Sequence, residues 1–270
     1  MIETLRKPSL QTRLKTARKA AQAAGHTIMA YYASEKQIKT KSSEMDLVTQ
    51  VDLASDELIR EILQEEYPED TLITEETFQE GQAIPLESTW IIDPIDGTTN
   101  YAHGFPHFAV SIGYVENGEP KLGIIFDPFK NEMFTAVLGE SATKNGIPIH
   151  VSTTEVLEKS LLATGFPYHT DEHTNIDLHS HFLKKAQGIR RAGAAALDLA
   201  YVACGRLEGF WEYSLAPWDI AAGMLLVKMA GGQVTDFKGD PVDLSQRKIN
   251  VTSSNGKLHA AIVEETARAV

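Results

Sequence analysis

The sequence predicts an α/β protein built from alternating layers of helices and sheets. Three observations carry this expectation. Residues Ser9 to Tyr32 place apolar side chains at helical spacing: Leu10, Leu14, Ala17, Ala21, Ala24 and Ile28. Between Thr71 and Val137, short β-like runs recur, bounded by turn residues. From about Val151 strand-like runs alternate again with helical stretches, with no repeat, low-complexity segment or Pro- or Ser-rich linker between the halves.

Taken in order, the first helix is followed by a polar, lysine- and serine-bearing segment, Lys36 to Glu44, expected to be a mobile loop. A second helix spans about Thr49 to Tyr67 and stops at Pro68, because the residue before proline is driven out of helical geometry. Strands are expected at Thr71 to Thr74, Thr89 to Asp93, Phe108 to Glu116, Lys121 to Phe126 and Glu132 to Ala136. Asn117-Gly118 marks a hairpin, since both residues tolerate the positive φ that a tight two-residue turn requires. The second half offers a strand at Ser160 to Thr164, a polar histidine-bearing stretch, a helix from Ala195 to Cys204 and a strand from Gly209 to Tyr213. A helix from Pro217 to Ala230, a turn at Gly231-Gly232, a strand from Gln233 to Asp236 and a closing helix from about Gly256 complete it. Two lobes sharing a continuous interface, residues 1–150 and 151–270, fit this order better than two tethered domains.

Composition narrows the function. Apolar residues make up 43% of the 270, enough for a substantial interior. The 37 acidic residues outnumber 25 Lys and Arg, giving a formal charge of −12, which argues against a surface built to hold nucleic acid or an anionic membrane. One cysteine, Cys204, forms no internal disulfide and reads as a buried small hydrophobe. The opening MIETLRKPSL lacks the apolar core of a signal peptide, and no run approaches the ~18 apolar residues of a membrane span. A soluble, cytoplasmic protein is expected.

The chemistry concentrates in Ile91-Ile92-Asp93-Pro94-Ile95-Asp96-Gly97-Thr98-Thr99-Asn100. An apolar run delivers Asp93 as a buried strand does at a sheet's carboxyl edge. Pro94 stiffens the next turn, so Asp93 and Asp96 can address one place. Gly97, Thr98 and Thr99 read as a helix start whose free N–H groups suit phosphate oxygens. Two carboxylates beside a phosphate cradle call for a hard, oxygen-seeking divalent cation, which also reverses the local field for an anionic substrate. Read alone, Asp96 could instead cap the helix. Glu75 and Glu76 follow a short strand, Asp52 opens the second helix and Asp219 opens a helix after Pro217-Trp218. Each, read alone, is an ordinary surface acid, but all follow an apolar strand or open a helix.

These segments together resemble the inositol monophosphatase family, within the lithium-sensitive, magnesium-dependent phosphatases. The matching runs are Asp46 to Asp52, Glu75-Glu76, Trp90 to Asn100, Arg190 through Leu197, Glu212, and Pro217 to Gly223, in family order. The stretch from Gly205 to Glu212 is similar to the bacterial branch. The resemblance implies an αβαβα sandwich of the inositol monophosphatase and fructose-1,6-bisphosphatase type. It implies two or three Mg2+ ions, the first held by Glu75, Asp93 and the carbonyl of Ile95. Asp93, Asp96 and Asp219 would hold the second, with a weaker third near Glu75. Asp52 and Thr98 would form a hydrogen-bonded pair that helps deprotonate the attacking water, with Glu75 serving catalysis beside them. Lys41 and its serine neighbours match a loop that closes over the metals. Lithium would inhibit at the second position.

On the leaving-group side, the resemblance places a small phosphorylated polyol or sugar against Gly193, Ala194, Ala195 and Glu212, with Asp96 contributing. Ala194 stands where relatives commonly carry Ser or Thr, and Met229 where they commonly carry Glu. Arg190 and Arg191 form a basic pair in an acidic chain; one packs or pairs at a subunit contact, or Arg191 reaches a second phosphate. His169, His173, His179 and His181 could share a zinc ion, but with no cysteine alongside they read as a solvated or interface segment. The expected activity is hydrolysis of myo-inositol 1-phosphate. Fructose-1,6-bisphosphatase or histidinol-phosphate phosphatase activity is the alternative on the same site, and a regulatory binding protein on a phosphatase scaffold is the alternative of another class. Relatives commonly form homodimers, with Ser160 to Arg191 as the expected contact.

Overall fold

The computed structural model describes residues 8–32, 38–40, 47–166 and 175–269. Lys41, His169 and His173 lie outside the described residues. The first half comprises α1 (Leu10–Tyr32), β1 (Ile38–Thr40), β2 (Leu47–Thr49), α2 (Gln50–Glu66), β3 (Thr71–Thr74), β4 (Thr89–Asp96) and α3 (Thr98–Ala102). Then come β5 (Ala109–Glu116), β6 (Glu119–Asp127), β7 (Glu132–Val137), β8 (Thr143–Lys144) and β9 (Ile147–Pro148). The second half comprises β10 (Leu161–Thr164), α4 (Ile176–Leu183), β11 (Gly188–Arg190), α5 (Ala195–Ala203), β12 (Gly209–Leu215) and α6 (Pro217–Met229). It ends with β13 (Gln233–Thr235), β14 (Ile249–Ser254) and α7 (His259–Thr266).

Strands β3 to β9 form a seven-stranded sheet in sequence order, and a five-stranded sheet runs β11-β10-β12-β14-β13. Three buried clusters place the helices. Leu14, Ala17, Ala21, Ala24 and Ile28 of α1, with Ile59 and Leu63 of α2, pack on Trp90, Ile92, Ile112 and Ile124 on one face of the larger sheet. Helices α5 and α6 fill the space between the sheets, joining Ile91, Ile125 and Phe134 to Phe210 and Val251. Leu178 and Phe182 of α4 and Ile262 of α7 cover the outer face of the smaller sheet against Leu162 and Trp211. The result is five layers, α-β-α-β-α. Each sheet buries apolar side chains on both faces, which is why its strands read as nearly continuous apolar runs.

One contact sets the spacing of the middle layer. Gly113 and Gly123 are paired across β5 and β6. A methyl group on Gly123 would lie 2.5 Å from the Ala222 carbonyl oxygen of α6, and one on Gly113 would lie 3.1 Å from the Ala222 nitrogen. The absence of side chains lets α6 rest directly on the sheet, and α6 carries Asp219 in its first turn.

The structure corrects four expectations. The segment expected to be a loop from Lys36 contains β1, which pairs antiparallel with β2. Strand β4 continues through Asp96 instead of ending at Asp93. The histidine-bearing stretch supplies a helix, α4, whose Leu178 and Phe182 are buried at i, i+4 spacing; the polar residues between them mask that period in the sequence. Strand β14 lies between β12 and β13 but went unread, because Thr252, Ser253 and Ser254 look like loop residues although all are fully buried.

Candidate active site

Asp93 and Asp96 are three positions apart, and on a regular strand they would point to opposite faces. Asp93 pairs with Ser111 and Asp96 with Ala109, so three steps along β4 match two along β5. This irregularity, at Pro94-Ile95, absorbs one residue and returns both carboxylates to the face that carries α5 and α6. Ile92 and Ile95 are turned to the α1–α2 face by the same shift. Gly97 follows with φ 94°, a left-handed conformation that lets the chain turn from β4 into α3.

Each of three aspartates is anchored through one oxygen. The Ile95 N–H donates to Oδ1 of Asp93 (3.0 Å), the Ala196 N–H to Oδ2 of Asp96 (2.8 Å), and the Ala216 N–H to Oδ2 of Asp219 (2.7 Å). These bonds fix the side chains and leave the second oxygen of each for a ligand. The Glu75 N–H donates to the Ile92 carbonyl (3.1 Å), so Glu75 leaves the end of β3 beside Asp93. Asp52 is buried in the first turn of α2.

The electrostatics show that these acids share one region. Burial, then Glu75, Asp96, Asp219 and Asp52, push Asp93 well above the usual carboxylate range. Burial and Asp219 raise Asp96 strongly against the Ala196 N–H, with Asp198 and Glu75 adding to the rise. Asp219 is pushed up to about 7 by burial and by Glu75, with the Ala216 N–H and Arg247 opposing. Among the described residues, no three His, Cys, Asp or Glu side chains are already gathered as a metal cage. The donor set itself is all oxygen, which suits a hard divalent cation.

The Thr98 hydroxyl differs from expectation. Its proton goes to the Ile95 carbonyl oxygen (3.0 Å) instead of to Asp52. Gly97, Thr98 and Thr99 are part-buried at the start of the five-residue α3. Asn100 then ties this end to the second half of the chain: its Nδ2 donates to the carbonyls of His107 (2.7 Å) and Ala192 (2.8 Å). That brings Gly193 (φ 84°), Ala194 and Ala195 to the rim beside Asp96. Glu212 faces the same region, its carboxyl held well above its usual range by burial and by Asp198, Asp219 and Asp96, with Arg191 opposing.

Other expected residues lie apart. Arg190 is exposed, donating to its neighbour's Ile189 carbonyl. His179 rests against the Phe166 ring, and His181 pairs with Glu265 at 2.5 Å on the outer layer. Sequence reading missed Asp198, a buried acid in the apolar run Ala195 to Ala203, and Arg247, stacked 4.4 Å over Trp218 beside Asp219. An acid inside a helix apolar on every side was the signal for Asp198; nothing local marks Arg247.

Fold and site define a phosphoric monoester hydrolase, and the chain belongs to the inositol monophosphatase family, whose model matches residues 9–270. An inositol-1-monophosphatase from Synechocystis is 42% identical over 260 residues, covering 96% of this chain and 90% of that protein. A protein from Pseudomonas aeruginosa named Nus factor SuhB is 41% identical, covering 94% and 95%. The structure of inositol monophosphatase from Anabaena superposes with a TM-score of 0.85 at 40% identity, covering 97% of each chain. An IMPase/NADP phosphatase structure complexed with Mg2+ and phosphate superposes with a TM-score of 0.84 at 25% identity over 96% of each chain.

Proposed function

We propose that this protein hydrolyses a small phosphate monoester in a Mg2+-dependent reaction, with myo-inositol 1-phosphate as the preferred substrate. The observation that carries the reading is the convergence of Asp93, Asp96 and Asp219 with Glu75. Each aspartate offers one anchored and one open oxygen, in a place where burial and mutual repulsion raise their pKa values above the usual carboxylate range. Glu75, Asp93 and the Ile95 carbonyl would hold one cation, and Asp93, Asp96 and Asp219 a second, with a weaker third near Glu75. Bound there, magnesium supplies a lowered pKa for the attacking water and charge stabilisation for an in-line displacement.

The remaining steps fall to the chain itself. Gly97, Thr98 and Thr99 receive phosphate oxygens at the start of α3. Thr98 turns its hydroxyl proton from the Ile95 carbonyl towards Asp52, and the pair then accepts the proton of the attacking water. Gly193, Ala194, Ala195, Asp96 and Glu212 bind the alcohol's hydroxyls. Lys41 belongs to the segment proposed to close over the site. The same reading takes the protein as a cytoplasmic homodimer, lithium-sensitive, acting on small phosphorylated polyols and not on nucleic acid. Among the described residues, no helix is long and apolar enough to cross a membrane.

The test is a panel of phosphomonoesters assayed with magnesium: inositol 1-phosphate, fructose 1,6-bisphosphate, histidinol phosphate and a nucleotide 3′-phosphate. The highest kcat/KM is expected for inositol 1-phosphate, and a tenfold preference for another ester would overturn the substrate assignment. A second reading, a regulatory binding protein on the phosphatase scaffold, is favoured by the Nus factor name of the Pseudomonas relative. Absence of hydrolysis across the whole panel would select it.

A further inference from the structure

Asn175 stands at the entry to α4, fully buried, with the nitrogen and the oxygen of its amide both in use. Its Nδ2 donates to the Thr164 hydroxyl oxygen and to the Gly165 carbonyl, both at 2.6 Å, and its Oδ1 accepts the Trp211 indole N–H at 2.9 Å. The Thr164 hydroxyl passes its own proton to the Trp211 carbonyl at 2.7 Å. The amide thus clamps the parallel strands β10 and β12 where Thr164 pairs with Trp211. The clamp needs two donors and one acceptor on one short side chain. Asparagine supplies them, whereas an ionised aspartate only accepts.

One residue further along each strand stand Gly165 and Glu212. On β12, Phe210 and Leu215 join the buried layer of α5 and α6, while Trp211 and Tyr213 join the outer cluster. Alternation therefore turns Glu212 to the α5–α6 side, where it is half-buried. A methyl group on Gly165 would fall on the Glu212 carboxyl carbon and both its oxygens. The carboxylate rests directly on the Gly165 backbone, a closeness that requires glycine. Its own strand is pinned on the other side. Glu212 pairs with Val251 of β14, and the extra residue that follows, Ser214 (φ 57°), donates its N–H to Oδ1 of Asn250 at 3.0 Å. Strand β12 then runs on to Ala216, whose N–H anchors Asp219. The Glu212 carboxylate has a floor of fixed backbone, and Asn175 sets where that floor lies.

Building on the phosphatase reading above, in which Glu212 binds a hydroxyl of the alcohol, we propose that Asn175 is a positioning residue for substrate selection: it holds Gly165 against Glu212 and so aims that carboxylate at a polyol leaving group. Its effect passes through Glu212, so an ester whose alcohol part carries no free hydroxyl gains nothing from the clamp.

The experiment compares the wild-type protein with Gly165→Ala, Asn175→Asp and Glu212→Ala on inositol 1-phosphate and on phenyl phosphate, whose leaving group has no hydroxyl to bind. The added methyl of Gly165→Ala meets only the movable end of the Glu212 side chain, so this variant is expected to fold and to displace the carboxylate. In all three variants the ratio of kcat/KM for inositol 1-phosphate over phenyl phosphate is expected to fall about tenfold, chiefly through KM, because a lost hydrogen bond to a charged group costs about that factor. Combined with Glu212→Ala, the other two substitutions should lower the ratio no further. If Asn175→Asp does not fold, Trp211→Phe replaces it, removing the indole N–H while keeping a ring beside Phe182. A clamp variant that lowers both esters together, or lowers the ratio equally without Glu212, overturns the inference and leaves the phosphatase reading standing. An unchanged ratio in Glu212→Ala removes Glu212 from alcohol binding and the inference with it, and a wild-type protein inactive on both esters sinks the phosphatase reading itself.

Discussion

The Ala196 N–H donates to Oδ2 of Asp96 at 2.8 Å, across 100 positions of sequence. Both groups require a partner. The N–H belongs to the first turn of α5, where no carbonyl of the same helix can receive it, and the carboxylate is 8% exposed. The bond joins the larger sheet to the helix layer between the sheets and aims Asp96 at the space shared with Asp93 and Asp219. Architecture and chemistry meet at that bond, because holding the acids together costs stability unless something neutralises them.

From this follows a test of what the acids are for. Asp93→Asn keeps the side chain's shape and removes one of the repelling charges. In metal-free protein its melting temperature is expected to equal or exceed that of the wild type, while hydrolysis falls by at least about two orders of magnitude, beyond the effect of losing a group that only supports a ligand. Calorimetry with and without magnesium checks both halves: the stabilisation by the ion should shrink in the variant. A wild-type response to magnesium in Asp93→Asn would exclude Asp93 as a ligand.

Metal binding should also release protons. Asp219 is pushed up to about 7, so it is partly protonated at neutral pH in the metal-free site, and Asp93 and Asp96 are shifted in the same direction. A cation needs the ionised carboxylates and competes with those protons. Affinity for magnesium is therefore expected to fall as pH drops from 8 to 6. Titration calorimetry in two buffers of different ionisation enthalpy reads the number released at pH 7, expected at about one per site. No buffer dependence would contradict shared protonation of the three acids.

The layered fold was legible because α1 repeats apolar residues at the helical period, while α6 and the buried strands stand out as nearly continuous apolar runs. The acids of the candidate site stand out in the sequence as well, each following an apolar strand or opening a helix. What could not be read was how they come to share a face. Asp93 and Asp96 depend on a register shift against β5, a property of the pairing of two strands and not of either alone. Asp198 and Arg247 join the region only through the packing of α5 and the β14 end of the smaller sheet against the larger. Strand β14 was hidden for a related reason: its hydroxyl side chains are buried by neighbours that lie elsewhere in sequence.

The tight seat of α6 makes a prediction about stability and function at once. In Gly123→Ala the added methyl group would meet the Ala222 carbonyl oxygen at 2.5 Å, backbone against side chain with nowhere to rotate. Overpacking of this kind costs about 1–3 kcal/mol. The helix must lift, and Asp219 in its first turn lifts with it, so kcat/KM is expected to fall about tenfold or more while Asp93 and Asp96 stay in place. Urea unfolding and a magnesium titration of activity measure the two effects. A stable variant of full activity would show that α6 is not seated by this contact.

His107 supplies an acid-sensitive element behind the site. It is 8% exposed, its Nε2 is buried without a hydrogen-bond partner, and its carbonyl receives the Asn100 bond that anchors α3. Burial, with Lys130 adding to it, lowers its pKa to about 4, so the folded protein holds it neutral. The unfolded chain takes up a proton near 6.5, above the folded value, so unfolding gains protons between those limits. His107's contribution is thus complete above about pH 6.5 and is lost progressively as pH falls towards 4. Between pH 6.5 and 5 the loss is about 2 kcal/mol, at 1.36 kcal/mol per unit. In His107→Phe, which fills the same apolar surroundings against Phe105 and Tyr201 without a titrating group, this part of the acid sensitivity should vanish. Urea midpoints at pH 7.5 and 5 for the two proteins decide it, and parallel pH slopes would rule His107 out as the source.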